Sequence, residues 1–166
     1  MSKLKIQNTL ENTKEEFIPV DPSNVRIYAC GPTVYDYAHI GNARMAVVND
    51  LLVRLLRTLF PKVTYVSNIT DIDDKIIEAA QTADMPFQEL TLKFEAIYNE
   101  DMAALGVHRP DVQPRATDHI AEMITLTKTL VKLGHAYEKK GHVLFHVPSF
   151  EKYGCLSGRN RDEQIV

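Results

Sequence analysis

The sequence has few cysteines and no long hydrophobic run, and each absence removes a class of protein from consideration. Cys30 and Cys155 are the only cysteines among 166 residues, and neither has a second cysteine at metal-like spacing. Neither a disulfide framework nor a complete zinc knuckle can therefore be inferred. No apolar run approaches the roughly 20 residues of a membrane-spanning helix. The N-terminus has no apolar core with a small-residue cleavage site, so we expect a cytoplasmic protein.

An excess of positive charge is also missing. The chain has 19 lysines and arginines against 22 aspartates and glutamates, which gives a formal net charge of −3. Any binding to nucleic acid is therefore not driven by an overall positive field. A chain of this length buries roughly 70% of its unfolded surface. That is enough for one ordinary core, or for one domain with a small attachment.

Strand-like and helical patterns alternate in the first half of the chain. VRIYAC, residues 25 to 30, predicts a buried strand that stops at a Gly-Pro pair. Apolar residues recur at three- and four-residue steps from Asn42 to Leu59 and predict a helix. KVTYVSNIT, residues 62 to 70, is β-branched and aromatic and predicts a second strand. Together they form a βαβ unit with a parallel pair, so we predict an α/β fold with half of a doubly wound, Rossmann-type sheet.

Helices and a hairpin are predicted for the remainder. The predicted elements are a helix from Asp74 to Ala83, a helix from Pro86 to Gly106, a loop at HRPDVQPR, a helix from Thr117 to Leu133 and a hairpin at AYEKKGHVLFHV. Pro86 suits a first helical turn, and Thr117 is predicted to cap the helix that follows it. Gly141 is expected in the hairpin turn.

The most informative segment is CGPTVYDYAHIGNAR, residues 30 to 44. His39 to Asn42 lie where the loop enters the helix, so their backbone N–H groups and the positive end of the helix dipole should favour an anion. Gly41 has no Cβ and would let a purine or ribose approach, while His39 can donate a hydrogen bond to phosphate oxygens. Ligands of doubly wound sheets collect beyond the carboxyl ends of the strands, where residues 68 to 74 should also lie. We therefore predict an ATP site.

This block, followed after one helix and one strand by NITDIDDKI, resembles the cysteinyl-tRNA synthetases, which are class I aminoacyl-tRNA synthetases of the HIGH superfamily. The resemblance runs from KIQNTLENTKEEF through RPDVQPRATDHIAEMI and LGHAY to YGCLSGR. It implies an enzyme that activates L-cysteine with ATP and transfers the cysteinyl group to tRNA(Cys). It also implies that residues 1–109 are the N-terminal half of the catalytic Rossmann domain and that residues 110–166 begin the connective insertion. The full-length enzyme is expected to be a monomer.

The resemblance also implies which residues meet the nucleotide. The HIGH signature reads HIGN here, so His39, Ile40, Gly41 and Asn42 are implied to bind ATP, which arrives with Mg²⁺. His39 and Asn42 are implied to be catalytic. Asn42 keeps a hydrogen-bond donor but carries no charge, so a cationic role at this position is not expected.

For the amino acid, the resemblance implies a different set. Cys30 matches one of the four zinc ligands of that family. The zinc there binds the substrate cysteine as a thiolate, and a neutral hydroxyl does not bind zinc in the same way. Thr70 is implied to contact the substrate cysteine. Thr33 and Tyr35 lie in the loop beside Cys30 and are further candidates for the cysteine pocket. The other three ligands are expected beyond Val166, so the chain looks truncated and is expected to be inactive alone.

Several alternatives remain open. The chain could be a nucleotide-binding fragment without catalysis, or a cysteine ligase of the mycothiol pathway, which joins cysteine to a glucosaminyl-inositol. An unrelated dinucleotide-binding domain is disfavoured because the first turn lacks GxGxxG. Asp71, Asp73 and Asp74 could suggest a magnesium site, but capping of the next helix is favoured.

Overall fold

A computed structural model describes residues 4–158, which belong to two compact units. One unit is Pro19–His119, and the other combines Met1–Ile18 with Ile120–Val166. The elements are β1 (Lys5–Asn8), β2 (Thr13–Glu16), β3 (Val25–Ala29), α1 (Ile40–Leu59), β4 (Val63–Ser67), α2 (Asp74–Thr82), α3 (Phe87–Ala104), α4 (Ile120–Lys132), β5 (Ala136–Lys139) and β6 (His142–Phe145). The expected domain division after Arg109 stays a prediction.

The predicted βαβ unit is confirmed in the first of these units. β3 and β4 pair in parallel, with Val25 opposite Val63 and Ala29 opposite Ser67, and α1 connects them. The pairing resumes beyond the strands at a parallel bridge between Thr33 and Thr70. The loop after β3 is therefore fixed against the loop after β4, at the edge where ligands of parallel sheets bind.

The segment HRPDVQPR is a loop, as predicted, but isolated parallel bridges at Val112 and Arg115 attach it to β4 and to the residues that follow β4. The Ser67 N–H donates to the carbonyl of Val112 at 3.1 Å, and the Ile69 N–H donates to the carbonyl of Pro114 at 2.8 Å. Pro110 and Pro114 within this segment lack an N–H and cannot donate to a neighbouring strand. The carbonyl of Pro114 can still accept, so the loop is bridged to β4 without forming a strand.

Thr117 does not cap a helix, contrary to the prediction. It lies in a short 3₁₀ turn at Ala116–His119, and α4 begins at Ile120. Its backbone N–H and its hydroxyl both donate to the carboxylate of Asp71, at 3.0 and 2.5 Å. The hydroxyl is thus already engaged by a distant residue, which is why it does not cap.

A buried cluster lies under the loop that follows β3. Its members come from that loop (Val34), from the segment after β4 (Ile69), from α2 (Ile76 and Ala80) and from α3 (Leu90 and Phe94). Burial of these side chains is the main stabilising contribution in this part of the unit. The loop that carries the predicted site is therefore anchored by its own apolar residue, Val34.

The other unit contains two antiparallel hairpins. β5 and β6 pair as predicted, and the turn residues Lys140 and Gly141 have positive φ angles of 53° and 78°. β1 and β2 also pair, with Lys5 opposite Glu16. This hairpin was not predicted, because the four residues of β2 are all exposed and show no alternation. None of the helices described within residues 4–158 could cross a membrane.

Candidate active site

The loop after β3 begins in close contact with the backbone that follows β4. The Gly31 N–H donates to Asn68 Oδ1 at 3.1 Å. A Cβ added to Gly31 would lie 1.6 Å from the Asn68 carbonyl oxygen, so only glycine fits here. This close contact fixes the backbone between Cys30, which directly follows β3, and Thr33.

His39 and Asn42 form a reciprocal cap at the start of α1. The Gly41 N–H donates to His39 Nδ1 at 3.0 Å, and the His39 N–H donates to Asn42 Oδ1 at 3.0 Å. Because Nδ1 is an acceptor, a neutral His39 ring carries its proton on Nε2. The cap therefore leaves the His39 Nε2–H and the Asn42 NH₂ group as donors for a ligand.

The backbone amides of this first turn are less available than predicted. Besides the Gly41 N–H, the N–H groups of Asn42 and Ala43 both donate to the His39 carbonyl, at 2.9 and 3.1 Å. The first turn of α1 contains no acidic residue, so the helix dipole still favours an anion there. Directed hydrogen bonds to an anionic ligand must therefore come from side chains rather than from these three amides.

Gly41 is required for a reason that the sequence did not indicate. A Cβ at this position would lie 2.8 Å from Cε1 and 2.9 Å from Nδ1 of His39. Glycine thus allows the His39 ring to fold over the helix start. The neighbouring Ile40 is 86% exposed, and it is not among the residues that line the cavity beside the cap.

A cavity of about 320 Å³ opens beside this cap. That volume is at the lower end of the range for small-molecule sites. Three predicted residues line it, namely Thr33, His39 and Asn42. Tyr35, a pocket candidate in the same loop as Thr33, lines it too, and so do two residues that were not predicted as site residues, Lys75 and Tyr98. Lys75 could have been predicted from the sequence, because it belongs to the same NITDIDDKI motif as Thr70. No sequence pattern marked Tyr98, which lies in α3.

Tyr98 remains a protonated phenol over a wide pH range. Burial raises its pKa, and the neighbouring Tyr65 raises it further. Burial also raises the pKa of Tyr65, although hydrogen bonds with Ser67 and Asn49 act in the opposite direction. Tyr98 therefore presents a neutral hydroxyl to the cavity.

The predicted cysteine-binding residues lie at the same sheet edge. Thr33 and Thr70 are bridge partners, and the Asn68 side-chain NH₂ group donates to Thr70 Oγ1 at 3.1 Å. Cys30 is exposed, and its thiol contacts the Gly31 carbonyl at 3.8 Å. Asn68, which the sequence did not single out, connects the two segments because its other side-chain atom accepts from Gly31.

Metal ligands are sparse in the described part of the chain. Residues 4–158 contain no group of three or more histidine, cysteine, aspartate or glutamate side chains that could hold a metal ion. Asp73 caps α2 by accepting from the Lys75 N–H at 2.9 Å, which confirms its predicted capping role. Asp71 instead binds Thr117. Cys30 could serve as one ligand, but these residues alone do not fit a zinc ion, so we derive no chemical step through one.

Comparison with known proteins gives consistent results. A family described as tRNA synthetases class I (C) catalytic domain matches residues 16–165. A cysteine-tRNA ligase from Rhodospirillum rubrum is 57% identical over 163 residues, which are 98% of this chain and 36% of that protein. A cysteine-tRNA ligase from Parvibaculum lavamentivorans is 56% identical over 164 residues, which are 99% of this chain and 35% of that protein. The chain therefore spans about a third of the length of these relatives.

Among solved structures, Mycobacterium tuberculosis methionyl-tRNA synthetase in complex with methionyl-adenylate is similar, with a TM-score of 0.59 and 22% identity. The match covers 68% of this chain and 23% of that one. At this identity the likeness concerns the fold, and it confirms the predicted Rossmann-type α/β class.

Proposed function

The chain belongs to the family of class I (C) tRNA synthetase catalytic domains, and from this premise we propose that it is the adenylate-forming part of a cysteine-tRNA ligase. In the proposed reaction the carboxylate of L-cysteine attacks the α-phosphorus of ATP. A carboxylate oxygen–phosphorus bond forms, the bond to the β-bridging oxygen breaks, and pyrophosphate leaves. A ribose hydroxyl at the 3′ end of tRNA(Cys) then attacks the carbonyl carbon of the adenylate, so that an ester bond forms, the bond from that carbon to the phosphate oxygen breaks and AMP leaves.

The observation that carries this proposal is the reciprocal cap between His39 and Asn42 beside the cavity. The two hydrogen bonds hold both side chains in fixed orientations, each with a donor left over. Such preorganised donors stabilise negative charge that develops on phosphate oxygens during displacement. No protein nucleophile is needed, because the amino acid carboxylate itself attacks and the site supplies position and charge stabilisation. Gly41 contributes by leaving room for the His39 ring, and Ile40 is proposed as an ATP contact on the basis of the HIGN motif alone.

On the amino acid side, Cys30, Thr33 and Thr70 are the proposed contacts for cysteine. Their support is geometric, because Thr33 and Thr70 are bridge partners and Cys30 directly follows β3, three residues before Thr33. Cys30 is also proposed as one zinc ligand, with the others supplied from outside the described residues. A bound zinc would supply a soft partner for the substrate thiolate.

The remaining parts of the proposal follow from the family. The partners are L-cysteine, ATP as its magnesium complex and tRNA(Cys), and the enzyme is proposed to act as a monomer in the cytoplasm. Because the chain spans about a third of its relatives, we expect it to bind ATP without catalysing cysteine-dependent pyrophosphate exchange. Measurable exchange by this chain alone would contradict that expectation.

Calorimetric titration with ATP tests the nucleotide site directly. Asn42→Asp keeps an oxygen that accepts from His39 but removes the NH₂ donor and adds a negative charge near the phosphates. We expect it to weaken ATP binding by about tenfold, because a charge-assisted hydrogen bond is replaced by repulsion. His39→Ala should have an effect of similar size.

The matched control is His142→Ala, an exposed histidine in β6, which is expected to leave ATP affinity unchanged. Thermal unfolding of each variant would separate a loss of binding from a loss of fold. If the unchanged chain binds no adenine nucleotide, or if all three variants bind ATP as well as it does, the proposed site is wrong.

A further inference from the structure

We propose that Lys75 binds the polyphosphate of the nucleotide, an inference that rests on the proposed function. Lys75 is the only lysine or arginine among the described residues that line the cavity beside His39 and Asn42. A triphosphate carries several negative charges, and the donors of His39 and Asn42 are too few to compensate them. A cation at the cavity wall is therefore the group that the site otherwise lacks.

The position of Lys75 is defined at both ends of its side chain. Its backbone N–H donates to the Asp73 carboxylate in the cap of α2, which fixes the main chain. Its ammonium lies 6.0 Å from the centroid of the Tyr35 ring, within the range of a cation–π contact. Tyr35 lines the same cavity. The ammonium is thus drawn toward the cavity by an aromatic face and keeps its three N–H donors for a ligand.

The charges around Lys75 make its contribution necessary. Asp36 and Asp73 also line the cavity. Each carboxylate has one oxygen bound by a backbone amide, that of Tyr37 for Asp36 and that of Lys75 for Asp73. Without the ammonium, the fixed charges on the cavity wall would all be negative and would repel a polyphosphate. With it, the wall has one cation, contributed by the first turn of α2.

The inference predicts that Lys75 affects the phosphates and leaves the nucleoside contacts unchanged. Three probes distinguish these effects by calorimetry: ATP, adenosine and inorganic tripolyphosphate. In Lys75→Gln we expect ATP and tripolyphosphate to bind about tenfold more weakly, while adenosine affinity stays the same. Lys75→Arg keeps the positive charge and should retain most of the ATP affinity. The loss should shrink as salt is raised, because exposed charges are screened.

Lys93→Gln is the matched control. Lys93 also has its ammonium near an aromatic ring, 5.3 Å from the Phe94 centroid, but it is not one of the residues that line the cavity. Lys93→Gln removes the same charge from the chain as Lys75→Gln and therefore corrects for any effect of net charge. We expect it to leave the affinities for ATP, adenosine and tripolyphosphate unchanged.

The outcomes separate this inference from the proposed function. If the unchanged chain does not bind ATP, both are wrong. If it binds ATP and Lys75→Gln keeps the same ratio of ATP to adenosine affinity, the proposed function stands and the role of Lys75 is wrong. Equal losses in Lys75→Gln and Lys93→Gln would likewise overturn it, because a general charge effect would then explain the result.

Discussion

The carboxylate of Asp71 receives both hydrogen-bond donors of Thr117, although 46 residues separate them in the sequence. Asp71 follows β4 at the sheet edge that carries the candidate site, and Thr117 lies in the 3₁₀ turn that directly follows the HRPDVQPR loop. The pair therefore holds this segment in place at one end, while backbone pairing of Val112 and Pro114 holds the rest. A buried carboxylate that might have suggested metal binding has a structural role instead.

Replacing Asp71 by alanine should destabilise the fold considerably. Asp71 is 2% exposed, so its removal leaves two donors of Thr117 without their acceptor in a site that water reaches poorly. We expect a loss of about 3 kcal/mol in the free energy of unfolding, measured by chemical denaturation. Thr117→Val removes only the hydroxyl and should cost about half as much. Asp73→Ala, which removes an exposed cap, is the comparison and should cost about 1 kcal/mol. An Asp71→Ala effect no larger than that of Asp73→Ala would contradict this account.

Gly41→Ala should disrupt the cap and the nucleotide site together. The added Cβ would lie within 3 Å of two ring atoms of His39, so the ring must move and its hydrogen bond to the Gly41 N–H is lost. ATP affinity is expected to fall by about tenfold, comparable with loss of one charge-assisted hydrogen bond. Calorimetric titration measures this loss.

The control for this prediction is the same change in a His39→Ala background. There the ring is absent and no clash remains, so Gly41→Ala should stabilise the helix by about 0.5–1 kcal/mol through reduced backbone entropy of the unfolded chain. If Gly41→Ala has the same effect on stability in both backgrounds, the His39 ring is not the reason that glycine occupies this position.

These features show how far the sequence could predict the fold and the site. Periodicity identified β3, α1 and β4, because their apolar patterns are strong and local. It did not reveal that the HRPDVQPR loop is bridged to β4, since two isolated bridges leave no apolar pattern in the sequence. Nor did it reveal that Thr117 binds Asp71, since the partner is distant in sequence. The HIGN motif placed His39 and Asn42 at the entry of a helix, but their mutual capping depends on side-chain geometry. Lys75 lines the cavity because α2 begins near the loop after β3, a three-dimensional relationship.

Tyr65 and Tyr98 should make the fold sensitive to alkaline pH. Burial raises the pKa of both phenols above the ordinary value of 10.0. Between that value and the higher folded pKa, the unfolded chain loses protons that the folded chain keeps. The stabilisation linked to each phenol is therefore fully present below about pH 10 and is lost as the pH rises through its folded pKa.

The free energy of unfolding should consequently decrease as pH rises above about 10, with a slope of at most about 1.4 kcal/mol per pH unit for each phenol. Tyr98→Phe should reduce this slope by removing one of the two groups, and the double variant with Tyr65→Phe should reduce it further. Urea denaturation at a series of alkaline pH values measures the slope, and phenolate absorbance in the folded protein measures the titration itself. An unchanged slope in the double variant would show that other groups control alkaline unfolding. Titration of both phenols in the folded state at their ordinary value would mean that burial does not perturb them.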